Sequence, residues 1–235
     1  MAGVLYLLPS PIAEGTEHLV VTPAMQALLP GLRYFLAEDV RTARRFLSRL
    51  KIYPSIEALT FEVLDKDTTD EQLPVLMQPA IRGGAVGLLS DAGCPGVADP
   101  GARAVASAHR HNIQVVPLVG PSSLLLALMA SGLNGQQFAF HGYLPVEARA
   151  LSDKLRTLEA ESKAKNQTQI FIETPYRNQA LFLQLVRTLH PATLLCVAMN
   201  VTGAEEIIRT QTIAEWRNFT ATWPKQPAVF LFLKN

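Results

Sequence analysis

The most constraining feature of the sequence is an alternation between short apolar runs and longer amphipathic stretches. The apolar runs of the first half end at Gly, Pro or Asp and have the length of buried strands. These runs are residues 4–8, 33–37, 85–90 and 113–118. The stretches with helical periodicity between them are residues 18–29, 40–51, 70–82 and 101–111. Because alternating strands and helices form right-handed βαβ units, the pattern predicts a mainly parallel α/β sheet.

After Gly132 the pattern changes, because strands follow one another with less helix between them. The predicted strands there are residues 138–143, 169–173, 194–199, 206–211 and 229–233, with helices at 148–165 and 176–190. Strands in close succession indicate antiparallel pairing, so the second sheet is expected to be mixed. We therefore expect a two-domain α/β protein, with an N-terminal α/β domain over residues 1–120 and a C-terminal mixed-sheet domain over residues 121–235.

Composition excludes several classes of protein. Of the 235 residues, 49% are hydrophobic and 17% are charged, which excludes a disordered tail or a coiled coil. The formal net charge of +1 lacks the basic excess of a typical duplex-DNA binder. Two cysteines, Cys94 and Cys196, are too few for a disulfide scaffold or a four-cysteine zinc site. The longest apolar run, residues 124–130, is too short to span a bilayer, so we predict a cytoplasmic protein without metal or membrane contact.

Several common catalytic and nucleotide-binding motifs are absent from the sequence. It contains no G-x-x-x-x-G-K-[ST] phosphate-binding loop, and no G-x-G-x-x-G follows the first predicted strand. It also contains no G-x-S-x-G nucleophile motif and no H-E-x-x-H metal motif. A nucleotide hydrolase with a phosphate-binding loop, a dinucleotide-dependent dehydrogenase and a serine hydrolase are thereby disfavoured.

Three loops that follow predicted strands are rich in Gly, Pro and Ser. They are residues 9–12, 90–101 and 117–123. Because the carboxyl ends of parallel strands meet at one edge of a sheet, we expect these loops to line one crevice. Asp91 lies at a strand exit, where a carboxylate can accept from an ammonium group or a ribose hydroxyl. Taken singly, the loop at 90–101 is equally consistent with a structural connector, and the Ser residues before the next helix with an ordinary N-cap.

Taken together, the loops and their flanking strands resemble the tetrapyrrole methylase superfamily of S-adenosylmethionine (SAM)-dependent methyltransferases. Within it they are most similar to the bacterial branch that methylates a cytidine ribose 2′-hydroxyl of 16S rRNA. The resemblance extends from residue 4 to about residue 233. The segments that carry it are Ser10-Pro11-Ile12, Ala37-Glu38-Asp39-Val40-Arg41, Ser90-Asp91-Ala92-Gly93-Cys94-Pro95, Asp99-Pro100-Gly101, Gly120-Pro121-Ser122, Ser131-Gly132-Leu133 and Gly142-Tyr143-Leu144-Pro145.

The resemblance implies a tetrapyrrole methylase-like fold with SAM in the inter-domain cleft, and a homodimer. Matched motif by motif, it assigns the cofactor contacts to residues from both halves of the chain. From the first three loops these are Pro11, Ile12, Ser90, Asp91, Ala92, Gly93, Pro121, Ser122 and Ser123. From the second half they are Tyr143, Leu144, Ile172, Glu173, Met199, Asn200 and Val201.

The acceptor that the resemblance implies is a ribose hydroxyl of rRNA in the small ribosomal subunit. A hydroxyl is a poor nucleophile, so a carboxylate such as Glu38 or Asp39 would serve as general base. Helix capping explains this pair of acids equally well.

Basic and aromatic residues supply candidates for binding RNA. Arg41, Arg45 and Arg49 recur at i, i+4 and i+8 of a predicted helix and form one cationic stripe that can follow phosphates. Tyr176 and Arg177, at another strand-to-helix junction, could add base stacking and a phosphate contact. An ordinary solvated helix face remains an equal explanation of the stripe.

Three segments depart from the branch. Residues 13–15 replace its G-N-L, residues 198–203 replace A-R-E-L-T-K without its Arg, Glu and Lys, and residues 226–227 replace its G-E. These departures lie on the expected acceptor side. A methyltransferase for a small molecule such as a tetrapyrrole, and a non-catalytic SAM- or RNA-binding module, therefore stay open as alternatives.

Overall fold

The computed structural model describes residues 3–220 and 222–234. The chain forms two compact units, Met1–Ser122 and Ser123–Asn235, and each is built on one five-stranded sheet. Among the described residues, no helix combines the length and the apolar character that crossing a membrane requires.

The first unit holds a wholly parallel sheet in the order β3-β2-β4-β1-β5. Its strands are β1 (Val4–Leu8), β2 (Tyr34–Ala37), β3 (Thr60–Val63), β4 (Ala85–Leu89) and β5 (Gln114–Pro117). Its α-helices are α1 (Pro23–Leu28), α2 (Val40–Arg49), α3 (Leu73–Leu76), α4 (Gln78–Ile81) and α5 (Gly101–Arg110). Phe35 and Leu36, neighbours in β2, pack into separate apolar clusters, so both faces of the sheet are buried, as parallel sheets require.

Two predicted helices of the first unit are wrong in their extent because of proline. The stretch 18–29 is interrupted: a 3₁₀ turn covers Glu17–Leu19, and α1 begins only at Pro23. The stretch 70–82 divides into α3 and α4, with Pro74 and Pro79 each in a first turn. A proline ring has no N–H to donate and clashes with the preceding turn, so each proline starts a helix rather than continuing one.

The second unit contains the mixed sheet that the sequence predicts, in the order β6-β7-β10-β8-β9. Its strands are β6 (Phe138–Tyr143), β7 (Thr168–Glu173), β8 (Leu194–Met199), β9 (Ile207–Thr212) and β10 (Ala228–Leu233). Its helices are α6 (Ser123–Ser131), α7 (Ala148–Lys165), α8 (Asn178–Thr188) and α9 (Ile213–Trp216). Only β6 and β7 pair in parallel, and all six residues of the central β10 are buried.

Candidate functional site

The loops that follow β1 and β4 are joined by backbone hydrogen bonds at the carboxyl edge of the first sheet. The N–H of Ser10 donates to the carbonyl of Gly93 over 2.8 Å, and the N–H of Gly93 donates back to Ser10 over 3.0 Å. Ser10 itself is buried. The left-handed φ of +73° at Gly93 permits the turn that presents both backbone groups. These two loops therefore form one fixed backbone platform.

The loop after β5 packs against the same platform. The thiol of Cys94 donates to the carbonyl of Pro121, with 3.2 Å between Sγ and the oxygen. A Cβ atom on Gly120 would lie 2.1 Å from Cβ of Pro9, so only glycine allows these two backbones to approach so closely. The three loops that the sequence places at one edge thus lie against one another within the first unit.

The loop between β4 and α5 separates two acidic residues by role. Asp99 accepts from the N–H groups of Gly96 and Gly101 over 2.5 and 2.8 Å, so its carboxylate closes the loop and begins α5. Asp91, in contrast, is an exposed residue at the end of β4 whose Oδ1 accepts only one backbone N–H among the described residues, that of Asp39 at 3.2 Å. The connector function belongs to Asp99, which leaves Asp91 available to a ligand.

Negative charge is concentrated at these strand ends. Burial raises the pKa of Glu38, and the neighbouring charges of Asp91, Asp99 and Asp65 raise it further. Partial burial likewise raises the pKa of Asp91, against the lowering effect of the hydrogen bond from the Asp39 N–H. Glu38 is therefore a stronger base than an ordinary glutamate, and the surroundings favour a positively charged ligand.

The two candidate general bases differ in structure. Oδ1 of Asp39 accepts from the N–H of Thr42 over 2.9 Å, so Asp39 is the N-cap of α2. This hydrogen bond is the largest cause of the lowered pKa of Asp39. Glu38 makes no such capping bond in the described structure, and its pKa shifts the other way. Capping explains Asp39, and Glu38 is the carboxylate suited to accept a proton.

The cap makes a stability prediction for Asp39. We expect Asp39→Ala to lower the free energy of unfolding by about 1 kcal/mol, because it leaves an N–H at the start of α2 without its acceptor. Thermal unfolding should then move down by about 2–4 °C. Asp39→Asn retains a capping oxygen and is the control that should remain near the parent value. An alanine variant that melts with the parent protein would contradict the capping role.

Arg49 of the predicted cationic stripe is neutralised by acids from the first loop. Its guanidinium lies 3.0 Å from Oε1 of Glu14 and 2.7 Å from Oε1 of Glu17. Glu14 stands in one of the three segments that depart from the related branch. Arg49 thus holds the loop after β1 against α2, and its charge is satisfied within the unit.

The other two arginines of the stripe are exposed. The side chain of Arg41 is 91% exposed and stands 3.9 Å from Asp39, and Arg45 also faces solvent. Arg45 and Arg49 border a cavity of about 230 Å³. The predicted cofactor-binding residues that line the same cavity are Pro11, Ile12, Ser90 and Asp91. The structure thus brings half of the predicted arginine stripe to the predicted cofactor loops.

In the second unit, the predicted cofactor residues lie at or just after the ends of β6, β7 and β8. Leu144, Met199 and Val201 are buried in the apolar clusters, so they offer a ligand their backbone rather than their side chains. Tyr143 is exposed, Ile172 is half-buried, and Asn200 turns the chain with a φ of +49°. The side-chain contacts on which sequence reasoning can rely are therefore few in this unit.

Arg177 does not have the role that the sequence predicts. Its guanidinium lies 3.0 Å from Oε2 of Glu173, whose carboxylate is completely buried at the end of β7. The other oxygen of Glu173 accepts from the N–H of Thr174 over 2.6 Å. An arginine that compensates a buried carboxylate cannot leave it without a large cost, so this ion pair removes Arg177 from phosphate contact.

The comparisons with known proteins agree on the class of enzyme. The chain is 30% identical over 214 residues to "Ribosomal RNA small subunit methyltransferase I" of Vibrio cholerae, covering 91% of this chain and 70% of that protein. It is 35% identical over 209 residues to the protein of the same name from Mesorhizobium japonicum, covering 89% and 67%. The chain belongs to the ribosomal RNA small subunit methyltransferase I family. No model of a protein family matches the chain.

Solved structures confirm the fold expected of this methyltransferase I family member. The crystal structure of the methyltransferase CobJ superposes with a TM-score of 0.64 at 20% identity, covering 100% of this chain and 95% of that one. Uroporphyrin-III-C-methyltransferase from Thermus thermophilus gives a TM-score of 0.56 at 19% identity, covering 100% and 93%. The predicted tetrapyrrole methylase fold is confirmed, and so is the prediction of a methyltransferase whose methyl donor is SAM.

The residues at the first sheet edge suit SAM. SAM carries a sulfonium and an ammonium group, and the acidic side chains Glu38 and Asp91 give this edge the opposite charge. The Ser10–Gly93 platform adds backbone polar groups without a competing cation. Among residues 3–220 and 222–234, no group of three or more His, Cys, Asp or Glu side chains is arranged to hold a metal ion.

In the second unit the structure reveals polar residues that sequence reasoning missed. Oδ1 of Asn178 and Oγ1 of Thr202 are buried and have no hydrogen-bond partner in the described residues. Asn178 begins α8, next to Arg177, and Thr202 lies in the turn after β8, next to Val201. Unpaired buried polar atoms are rare in folded proteins and commonly belong to ligand sites. A polar residue directly beside a predicted contact is the signal that could have found them.

Proposed function

We propose that the protein transfers the methyl group of SAM to the ribose 2′-hydroxyl of a cytidine in 16S rRNA. The observation that carries the proposal is Glu38, a half-buried carboxylate with a raised pKa at the strand ends of the first sheet. A ribose hydroxyl needs a base, whereas a ring nitrogen or carbon of RNA has other requirements. The rRNA acceptor is supported by the names of the relatives, which are rRNA small-subunit methyltransferases.

Each residue at the sheet edge has a task in this reaction. When bound, SAM supplies an electrophilic methyl group. Pro11, Ile12 and the loop Ser90–Gly93 hold the donor, with Asp91 facing its positive charge. Glu38 accepts the proton of the ribose hydroxyl as the oxygen attacks, because its raised pKa lets it hold that proton at the moment of transfer. Fixing donor and acceptor on one rigid platform supplies much of the rate.

The remaining assignments of the cofactor site are also part of the proposal. Pro121, Ser122 and Ser123 follow β5, and the Cys94 thiol fixes the carbonyl of Pro121. The second-unit contacts, which rest on the resemblance, stay a prediction. They are Tyr143, Leu144, Ile172, Glu173, Met199, Asn200 and Val201.

Arg41 and Arg45 are proposed to bind rRNA phosphates. Both are exposed on α2, which begins directly after Glu38 and Asp39, so phosphates held there lie close to the proposed base. Arg49 is excluded from this surface by its ion pairs with Glu14 and Glu17. The predicted stripe of three phosphate contacts is therefore reduced to two.

The proposal predicts different salt dependences for the three arginines. Removing Arg41 or Arg45 should each lower the slope of log K against log salt for RNA binding by about one unit, because one released counterion is lost. Arg49→Ala should leave the slope unchanged, since its charge is already neutralised within the unit. Filter binding of 16S rRNA fragments from 50 to 300 mM KCl measures the slopes. Equal slopes for all three variants would contradict the assignment.

We further propose a homodimer that acts in the cytoplasm, where ribosomal subunits are assembled. Helix α6 is apolar on all sides, yet Leu125 and Met129, one turn apart, are 51% and 80% exposed. An apolar helix face of this kind is typical of a surface that another chain covers. Sedimentation of the purified protein at micromolar concentration tests this state.

The experiment that tests the proposed function uses purified protein, labelled SAM and three acceptors. These are small ribosomal subunits, free 16S rRNA and a tetrapyrrole such as uroporphyrinogen III. We expect label in the rRNA and none in the tetrapyrrole. Label in the tetrapyrrole alone would overturn the proposal and favour the small-molecule alternative.

A further inference from the structure

The junction between β7 and α8 carries an exposed aromatic ring beneath a positive charge. Tyr176 is 83% exposed, although it lies between the buried Glu173 and the buried Asn178. The ammonium nitrogen of Lys225 stands 5.8 Å from the centroid of its ring, within the range of a cation–π interaction. The ring is held by one cation and is otherwise open to solvent.

Neighbouring contacts fix both side chains to the same part of the fold. The side-chain amide of Asn178 donates to the carbonyl of Gln226 over 2.5 Å, directly beside Lys225. The N–H of Trp223 donates to Oε1 of Gln179 over 2.9 Å, so the loop that precedes β10 is attached to the first turn of α8 at two points. Arg177, next to Tyr176, is held by the buried Glu173. Tyr176 and Lys225 are therefore positioned by the fold rather than by chance.

We propose that Tyr176 and Lys225 bind one unstacked nucleotide of the rRNA substrate, with the base on the tyrosine ring and its phosphate at the lysine ammonium. This assignment rests on the proposed function, because it takes rRNA as the acceptor. It gives to Lys225 the phosphate contact that the sequence predicts for Arg177. Lys225 comes from the loop beside Gln226 and Pro227, one of the three segments that depart from the related branch.

The chemistry of the pair favours single-stranded RNA over an apolar protein surface. Sequence-specific RNA recognition places splayed bases on exposed aromatic rings, and phosphates seek a nearby cation. An apolar partner that covered the ring would also desolvate the Lys225 ammonium without compensating its charge. A nucleotide satisfies both groups, because its base covers the ring and its phosphate pairs with the ammonium.

The test measures methylation of small ribosomal subunits by the full chain with SAM, together with SAM affinity. We expect Tyr176→Ala to raise KM for the subunits about tenfold, the size typical of a lost base stack, and Tyr176→Phe to keep the parent KM. Lys225→Ala should lower the salt slope of RNA binding by about one unit, and Lys225→Arg should retain it. Lys154→Ala, which removes an exposed lysine of α7, is the matched control and should change neither value. SAM affinity should be the same in all these variants and shows that each is folded.

The outcomes separate this inference from the function on which it rests. If the parent protein methylates the subunits and Tyr176→Ala and Lys225→Ala retain its KM and salt slope, the nucleotide site is overturned and the proposed function stands. If Tyr176→Phe loses as much as Tyr176→Ala, base stacking is overturned. If the parent protein methylates no rRNA, the proposed function and this site are overturned together.

Discussion

Replacing Glu38 by glutamine is expected to lower kcat for rRNA methylation by about 10²- to 10⁴-fold, the usual contribution of a general base. Glutamine has nearly the same shape but cannot accept the proton of the ribose hydroxyl. Affinity for SAM and the melting temperature should stay near the parent values, because Glu38 neither caps α2 nor closes a loop. Single-turnover methyl transfer to small ribosomal subunits, with calorimetry of SAM binding, measures both quantities.

The pH dependence of the same reaction gives an independent sign. Burial and neighbouring acids raise the pKa of Glu38 above the ordinary 4.5, and the base works only when it is deprotonated. The rate should therefore fall as pH drops through the raised pKa, at a higher pH than an exposed glutamate would give. Glu38→Gln should lack this acidic limb, whereas Asp39→Asn should keep it. A glutamine variant with parent kcat would eliminate Glu38 as the base.

Replacing Gly120 by alanine is expected to weaken SAM binding by tenfold or more. The new Cβ would stand 2.1 Å from Cβ and 2.5 Å from Cγ of Pro9, both in a rigid ring, so one of the two loops must move away. Overpacking of this kind costs about 1–3 kcal/mol, and the displacement separates the loops after β1 and β5 that are proposed to hold the donor. Calorimetry of SAM binding and thermal unfolding measure the two effects.

Gly31→Ala is the matched control for this substitution. It lies in the same unit, and an added Cβ there has no heavy atom within 4 Å. We expect the Gly31 variant to bind SAM as the parent protein does. If Gly120→Ala also binds SAM with the parent affinity, the close approach of the two loops is unimportant to the donor site.

Much of the fold could be predicted because its strands are short apolar runs with clear ends. Residues 4–8, 138–143 and 194–199 are strands with the predicted bounds. Strand β3 was missed because Thr60–Val63 is an edge strand with three exposed residues, so it carries no continuous apolar run. The helices misjudged in extent are those in which apolar periodicity runs across a proline, where the lost N–H outweighs the pattern.

The site was predictable where topology alone decides it and not where tertiary contacts do. Parallel strands bring their carboxyl ends to one edge, so the meeting of the loops that hold Ser10, Gly93 and Gly120 follows from the strand pattern. The pairing of Arg49 with Glu14 and Glu17 joins residues 35 and 32 positions apart, which no helical spacing reveals. The difference between Glu38 and Asp39 likewise depends on burial and on a capping bond that only the folded chain shows.

The most direct test of the central claim is the chemical position of the transferred methyl group. Small ribosomal subunits methylated by the purified protein are digested to nucleosides, and the products are separated and identified by mass spectrometry. We predict 2′-O-methylcytidine, with the added mass on the ribose fragment and resistance of the adjoining phosphodiester to alkali. Added mass on the base fragment, with an alkali-sensitive linkage, would contradict the assignment of Glu38 as the base for a ribose hydroxyl.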